Sequence, residues 1–236
     1  MADRPIIFSA SMIRALLSGS KTQTRRILKP QPIEPVSHPP LISFNHGVAE
    51  YSLGPNCRKA NGDLIWWKLP APGDRLWVRE AFWIQKYDDD TFRPAELDAS
   101  NTRWRYVADG ADGAPLDPMG AAGKLRPSIH IPRWASRLTL IVEGVKIERL
   151  QDISEEDARA EGVERISDWE GVERYRHYTC PDLAIPYTGV AAKISFSTLW
   201  ESIHGEEAWI ANPWVVAISF RVVKANIDAT SGKDTL

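Results

Sequence analysis

Gly19-Ser20-Lys21-Thr22-Gln23-Thr24-Arg25-Arg26 is the densest run of functional groups in the chain, and what flanks it sets the fold. Before it, residues 9–19 carry apolar pairs at Met12/Ile13 and Leu16/Leu17, four apart, with serines at the start and a glycine at the end. That spacing predicts a short amphipathic helix. The polar, β-tolerant run after the glycine stop predicts a chain that leaves the helix extended. In a regular strand Lys21 and Thr24 would point to opposite faces, because side chains alternate with period two. For both to serve one site, a turn or bulge is expected between them.

Beyond this run, residues 30–72 hold eight of the 17 prolines and little periodicity, which predicts a long loop or insertion rather than a packed layer. Gly73-Asp74 signals a turn into a strand at Leu76-Trp77-Val78-Arg79, and Arg103 to Ala108 reads as another. Residues 110–123 form a Gly/Pro/Ala/Asp loop, and Ser128 to Pro132 a short strand that proline closes. Leu138, Leu140 and Val142, then Val145 and Ile147, give the longest strand signal, with a phase break at Gly144 that suggests a bulge. Ser154-Glu155-Glu156-Asp157 resembles a capping box and Gly162 a stop, framing a two-turn helix. Phe196, Leu199, Trp200 and Ile203 set the best helix, from Ala191 to Ile203, and Trp214 to Val222 alternate as a final strand. Few helices, several short strands and long insertions make an α+β protein built on a small, mostly antiparallel sheet or barrel. The expected organisation is one domain over 1–223, with insertions at about 30–72, 86–126 and 163–189, and a polar, frayed tail over 224–236.

Composition excludes several classes. With 43% hydrophobic and 25% charged residues over 236 positions, the chain is an ordinary globular protein rather than a disordered or fibrous one. A net charge of −2 leaves no basic excess to coat duplex DNA. Cys57 and Cys180 stand apart, so no disulfide framework or zinc ribbon is written, and reducing cytoplasm is the expected compartment. No run approaches the roughly 18 apolar residues of a membrane span, and no secretory h-region follows the N-terminus. Neither a G-x-G-x-x-G nor a Walker phosphate cradle occurs, so nucleotide cofactors are not expected. The five histidines are scattered, without H-E-x-x-H, and Cys180-Pro181 lacks the P-C-x-x-C of zinc deaminases, so no metal is expected. Ten tryptophans exceed what a core of this size needs, and one or two are expected at a cleft wall where a ring can stack on a planar ligand.

Gly-x-Lys-x-x-(Glu or Thr)-x-Arg behind a short N-terminal helix resembles the signature of ASCH domains, a group with a PUA-like β-barrel fold. Gly73-Asp74-Arg75-Leu76-Trp77-Val78-Arg79 is similar to the Gly-Asp-x-Leu-x-Val strand of that fold, and Leu150 to Ala158 to its later strand-to-helix step. The resemblance covers residues 4–28, 73–82, 128–162 and 191–223 but not the insertions, which liken the chain to the longer bacterial and bacteriophage members. It implies an amidohydrolase that removes the acetyl group from N4-acetylcytidine, leaving cytidine and acetate. The family's catalytic set falls on Lys21, Thr24 and Glu161, and Thr rather than the commoner Glu at position 24 favours that branch.

The chemistry stands on its own terms. A neutral, desolvated lysine can take the proton of a threonine hydroxyl, making Lys21 the base and Thr24 the nucleophile. Glu161 would protonate the departing N4 or hold the lysine and a hydrolytic water. Arg26 is expected either to pair with Glu161 or to bind substrate, while Arg79, Trp77, Tyr106 and Trp134 are the candidates for holding and stacking the pyrimidine. The expected partner is a small N4-acylated cytosine nucleoside, with no cofactor. Two rivals stand beside it: a non-catalytic PUA-like module that binds RNA or a modified base, and a phage accessory protein whose insertions dock a host partner.

Overall fold

Apolar residues at alternate positions set the strands of this protein, and prolines and glycines mark where they stop. The structure, a computed structural model, describes residues 2–32, 41–45, 48–52, 63, 66–85, 104–110, 122–169, 171–180 and 190–229. In chain order the elements begin with β1 (Asp3–Ile7), α1 (Ala10–Ser18), β2 (Gln23–Ile27), β3 (Leu41–Asn45), β4 (Val48–Ser52), β5 (Trp67–Lys68), β6 (Arg75–Arg79) and β7 (Phe82–Gln85). They continue with β8 (Trp104–Tyr106), β9 (Ala122–Arg126), β10 (Thr139–Arg149), α2 (Glu155–Ala160), β11 (Arg165–Trp169), β12 (Val172–Tyr175), α3 (Ala192–His204) and β13 (Trp214–Val223). The described strands pair mostly antiparallel and form no closed ring, so the fold is α+β with few helices. The chain divides into two compact units.

The first unit comprises Met1–Gly19, Gly73–Ile141 and Arg221–Leu236. Here β1 runs parallel to β6, from Asp3 opposite Arg75 to Ile7 opposite Arg79, and the start of β10 lies antiparallel on the other side of β6. The expected N-terminal helix is α1: Ile13 and Leu16 are its buried residues, and Gly19 ends it in the left-handed region, its N–H donating to the Leu16 carbonyl. A second sheet, β8-β7-β9, backs a core of Phe82, Ile84, Ile131 and Ala135, against which Trp77, Trp104 and Tyr106 pack. Two readings are corrected in this unit. Ser128–His130 is a 3-10 turn instead of a strand, and Arg133–Ala135 is another. Each follows a proline, Pro127 or Pro132, which fixes φ and supplies no N–H to a ladder. The tail beyond Lys224 begins anchored rather than frayed: Ile227 is fully buried, and the Asn226 amide lies 2.7–3.0 Å from the carbonyls of Arg133, Trp134 and Ser136.

The second unit comprises Ser20–Pro72 and Val142–Phe220. Strand β13 lies between β10 and β2, with Ser219 opposite Gln23 and Val215 opposite Ile27. Buried apolar residues in β10 change parity across Gly144, from Leu140 and Val142 to Ile147, as the phase break requires. Residues 30–72 are corrected from loop to a small sheet in part: β3, β4 and β5 pair antiparallel, and Tyr51 faces Trp67 in register, both buried. All eight prolines of that stretch lie outside these strands, so proline density there marks the connections and not the whole segment. Ser154 caps α2 by accepting the Asp157 N–H at 3.0 Å, as its sequence signature predicts. Helix α3 buries Phe196, Leu199 and Trp200 and packs on α2, while β11 and β12 form a hairpin within 163–189.

Candidate functional site

The run after Gly19 is extended from its first residues. Lys21 makes an antiparallel bridge with Glu161, and the Thr22 N–H donates to the Ala160 carbonyl at 2.8 Å, so this backbone pairs with the chain leaving α2. On the other side the Phe220 N–H donates to the Thr22 carbonyl at 2.9 Å, and β2 continues in unbroken register with β13. Lys21, Gln23 and Arg25 therefore share one face, by strand alternation.

That face is a buried ion cluster. The Lys21 ammonium, wholly removed from solvent, donates to the Glu161 backbone carbonyl at 2.7 Å and to Glu161 Oε2 at 2.8 Å. Position and charge agree, since a cation belongs where the carbonyls of a helix end converge. Arg25, also with no exposed side-chain surface, donates from Nη1 to Glu161 Oε1 at 3.2 Å and to Gln23 Oε1 at 2.5 Å. Its Nε and Nη2 reach Glu148 Oε1 at 3.1 and 2.7 Å, and Nη2 reaches Asp157 Oδ2 at 2.9 Å. Gln23 Nε2 ties Asp157 to the Ser219 hydroxyl, and the exposed Lys146 lies 2.6 Å from Glu148 Oε2. Burial pushes the Lys21 ammonium below the ordinary lysine value; Glu161 opposes that shift, and the charges of Arg26 and Arg25 add to it. A lysine so placed gives up its proton more readily than one in water.

The sequence-derived residues are distributed as follows. Lys21 and Glu161, 140 positions apart, are in direct contact, as the reading requires. Thr24 is buried opposite Ile218 on the other face of β2, and its hydroxyl makes no hydrogen bond to Lys21 or Glu161 among the described residues. The expected turn or bulge does not occur, because regular pairing with β13 already holds Gln23 to Ile27. Arg26 keeps exposed surface and feels the Glu161 charge, while Arg25 places its Nη1 3.2 Å from Glu161 Oε1. Trp77, Arg79, Tyr106 and Trp134 belong to the first unit. There the Arg79 guanidinium lies 5.2 Å above the Trp77 ring and donates to the Ile129 carbonyl. Tyr106 is a packing residue: its hydroxyl donates to the Ala135 carbonyl at 2.6 Å, and Arg137 lies over its ring at 4.0 Å. Trp134 leans tilted against Trp104, ring centroids 4.6 Å apart, and keeps 37% of its surface exposed, so among these three aromatics it is the one with a ring most open to a ligand.

Sequence reasoning missed Arg25, Glu148, Asp157 and Gln23. One signal was available: three polar residues of one parity, Lys21, Gln23 and Arg25, fall on a single strand face. Glu148 carried none, since its neighbour Ile147 sets the apolar parity of β10. A cleft of about 760 Å³ also lies in this unit, lined by Glu155 and Arg159 of α2, Glu173 and Tyr175 of β12, and the start of α3. In it the Tyr175 hydroxyl donates to Glu173 Oε2 at 2.6 Å, and Arg159 Nε donates to both. Among the described residues no three His, Cys, Asp or Glu side chains are grouped to hold a metal ion, and no helix is long and apolar enough to cross a membrane. Compared with protein-family models, curated proteins and solved structures, the chain matches none.

Proposed function

We propose that the chain is a PUA-like ASCH protein acting as a metal-independent amidohydrolase on the exocyclic amide of N4-acylated cytosine nucleosides, converting N4-acetylcytidine to cytidine and acetate. The observation that carries this reading is the Lys21–Glu161 contact: a solvent-excluded lysine, with lowered proton affinity, donating to the Glu161 backbone carbonyl at 2.7 Å and to its carboxylate at 2.8 Å. That is the pairing of base and acid which amide cleavage needs, and the sequence motif names the same two residues. The short helix leading into the motif and the mostly antiparallel α+β fold agree with such a protein.

Lys21, once neutral, accepts the Thr24 hydroxyl proton as Oγ attacks the acyl carbon. The C–N4 bond then breaks as Lys21 or Glu161 returns a proton to N4, releasing cytidine. Water hydrolyses the threonine ester by the reverse proton transfers and releases acetate. This route requires the Lys21–Thr24 backbone to rearrange when substrate binds, since Thr24 lies on the far face of β2. Water activated directly by Lys21 is the shorter route, and Thr24 variants tell the two apart.

The test is cytidine release from N4-acetylcytidine by EDTA-treated protein, followed by chromatography. Wild type is expected to turn over, and Lys21→Ala and Glu161→Gln to lose about 10²–10⁴-fold in kcat/KM. Thr24→Ala is expected to abolish release and Thr24→Ser to retain it; full activity in Thr24→Ala assigns attack to water instead. A wild type inert towards this substrate and towards longer N4-acyl analogues overturns the enzyme reading and leaves the modified-base or RNA binding module.

A further inference from the structure

We infer that Arg25 is the positioning residue of this site: its guanidinium fixes Glu161 through Oε1, so that Oε2 is presented to Lys21, and it anchors that carboxylate to β10 through Glu148 and to α2 through Asp157. The inference rests on the amidohydrolase reading for its meaning but not for its test.

The donor count excludes a direct role in binding substrate. A guanidinium has five N–H groups. Arg25 makes five hydrogen bonds, two from Nη1, two from Nη2 and one from Nε, to Gln23, Glu161, Glu148 and Asp157. With every donor engaged and no exposed side-chain surface, it has nothing left to offer a ligand. Its face is covered as well, by the Phe196 ring of α3 at 5.8 Å. What it can do is set the geometry of Glu161, because a planar fork with fixed donor directions constrains a carboxylate as a single ammonium cannot.

Arg25 also acts on Lys21 by charge. The groups that bear on Lys21 are Glu161 at the end of α2, which favours its protonated form, and Arg25 and Arg26 of β2, which disfavour it. Around Arg25 stand Asp157 of α2 and Glu148 of β10, the latter paired with Lys146; α3 contributes the uncharged Phe196 ring. Replacing Arg25 by a neutral residue removes a repelling cation and leaves Glu148, Asp157 and Glu161 undercompensated, and both changes make Lys21 hold its proton more tightly.

The test separates charge from geometry on the full chain. Lysine labelled with ¹³C at the ε-carbon is titrated by NMR, with the Lys21 signal assigned by its loss in Lys21→Met. Arg25→Met is expected to move the Lys21 midpoint up by roughly one unit, a tenfold change in proton affinity. The ascending limb of kcat/KM against pH should move by the same amount. Arg25→Lys keeps the charge but not the fork: the midpoint stays near that of wild type, while kcat falls about 10–100-fold at nearly unchanged KM. An unmoved Lys21 midpoint in Arg25→Met, or wild-type kcat in Arg25→Lys, overturns the inference. Should Arg25→Met fail to fold, Asp157→Asn serves: Asp157 is partly exposed and accounts for one of the five bonds. It is expected to lower kcat without moving KM and to move the Lys21 midpoint down, because a carboxylate that offsets the Arg25 charge is gone; an unmoved midpoint or wild-type kcat overturns the inference. If no variant or wild type releases cytidine, the amidohydrolase reading fails, and the NMR midpoints still decide whether Arg25 governs Lys21.

Discussion

Arg25 and Arg133 each hold more than one carboxylate, yet one sits where no solvent reaches its side chain and the other keeps 37% of its side chain exposed. Around Arg133 the partners are Asp228 at 2.8 Å and Asp3 at 2.6 Å, with Arg75 closing on Asp3 from the other side at 2.8 Å. Distances in the two networks are alike, so distance does not separate them; dielectric does. Water and salt screen the surface charges, and opening that network returns each group to hydration. In the buried cluster a lost partner leaves an ion that water does not solvate, so each member enforces the position of the others. The surface network tethers the chain, whereas the buried one can hold a reactive geometry.

The largest effect that follows is on stability. Glu148→Ala strands one edge of the Arg25 guanidinium and is expected to cost about 3–5 kcal/mol in urea unfolding, the usual cost of breaking a buried pair from one side. Arg25→Met combined with Glu148→Met removes both charges but leaves Glu161 and Asp157 without that guanidinium, so it is expected to recover only the part of the loss that belongs to the Arg25–Glu148 contact. A Glu148→Ala variant that loses less than about 1 kcal/mol would put the buried cluster in the energetic class of surface pairs and break the comparison.

How far the sequence foretold these two networks differs, and the reason is physical. Elements set by local pattern were legible: α1 with its glycine stop, the Ser154 cap of α2, α3 and the final strand β13 appear where spacing places them. Segments flanked by proline were misread in both directions, Ser128 to Pro132 as a strand and residues 41–52 as loop, because proline states what a backbone cannot do and leaves open what its neighbours do. Within the site, Lys21 and Glu161 were reached through the motif, since no local rule pairs residues 140 positions apart. Arg25 lay between them unnoticed: its role comes from Glu148 and Asp157, partners supplied by β10 and α2, and a one-dimensional pattern carries no such information. The aromatic residues were the least legible. Trp77 and Tyr106 pack half-buried against the core while Trp134 is more exposed, a division made by burial that residue type alone leaves open.

Asn226 sharpens the comparison from the neutral side. Its amide faces three backbone carbonyls, of Arg133, Trp134 and Ser136, next to the buried Ile227. Asn226→Ala leaves those acceptors short of donors and is expected to cost about 1–3 kcal/mol, read from the urea midpoint. The cost should not depend on salt, since no net charge is removed. A value below that of the neighbouring ion pair would mean that charge, not hydrogen bonding, anchors this end of the chain.

The smallest effect belongs to the surface network itself, and its sign with pH and salt is fixed. Hydrogen bonds from Arg133 hold the Asp228 carboxyl below the ordinary aspartate value; for Asp3, bonds from Arg133 and Arg75 outweigh the upward push of partial burial. A carboxylate with a depressed folded value contributes its stability in full above the unfolded value. That contribution is lost as the pH falls through the folded value, here below about pH 4. Asp228→Asn is therefore expected to shift the urea midpoint at pH 7 by less than Asn226→Ala does. The shift should shrink as the pH falls through the depressed folded value, and at 1 M salt, where the Debye length is about 3 Å. Persistence of the shift in high salt would show that the Arg133–Asp228 contact works through fixed hydrogen-bond geometry, which is how Arg25 works in the interior, and would erase the distinction between the two networks.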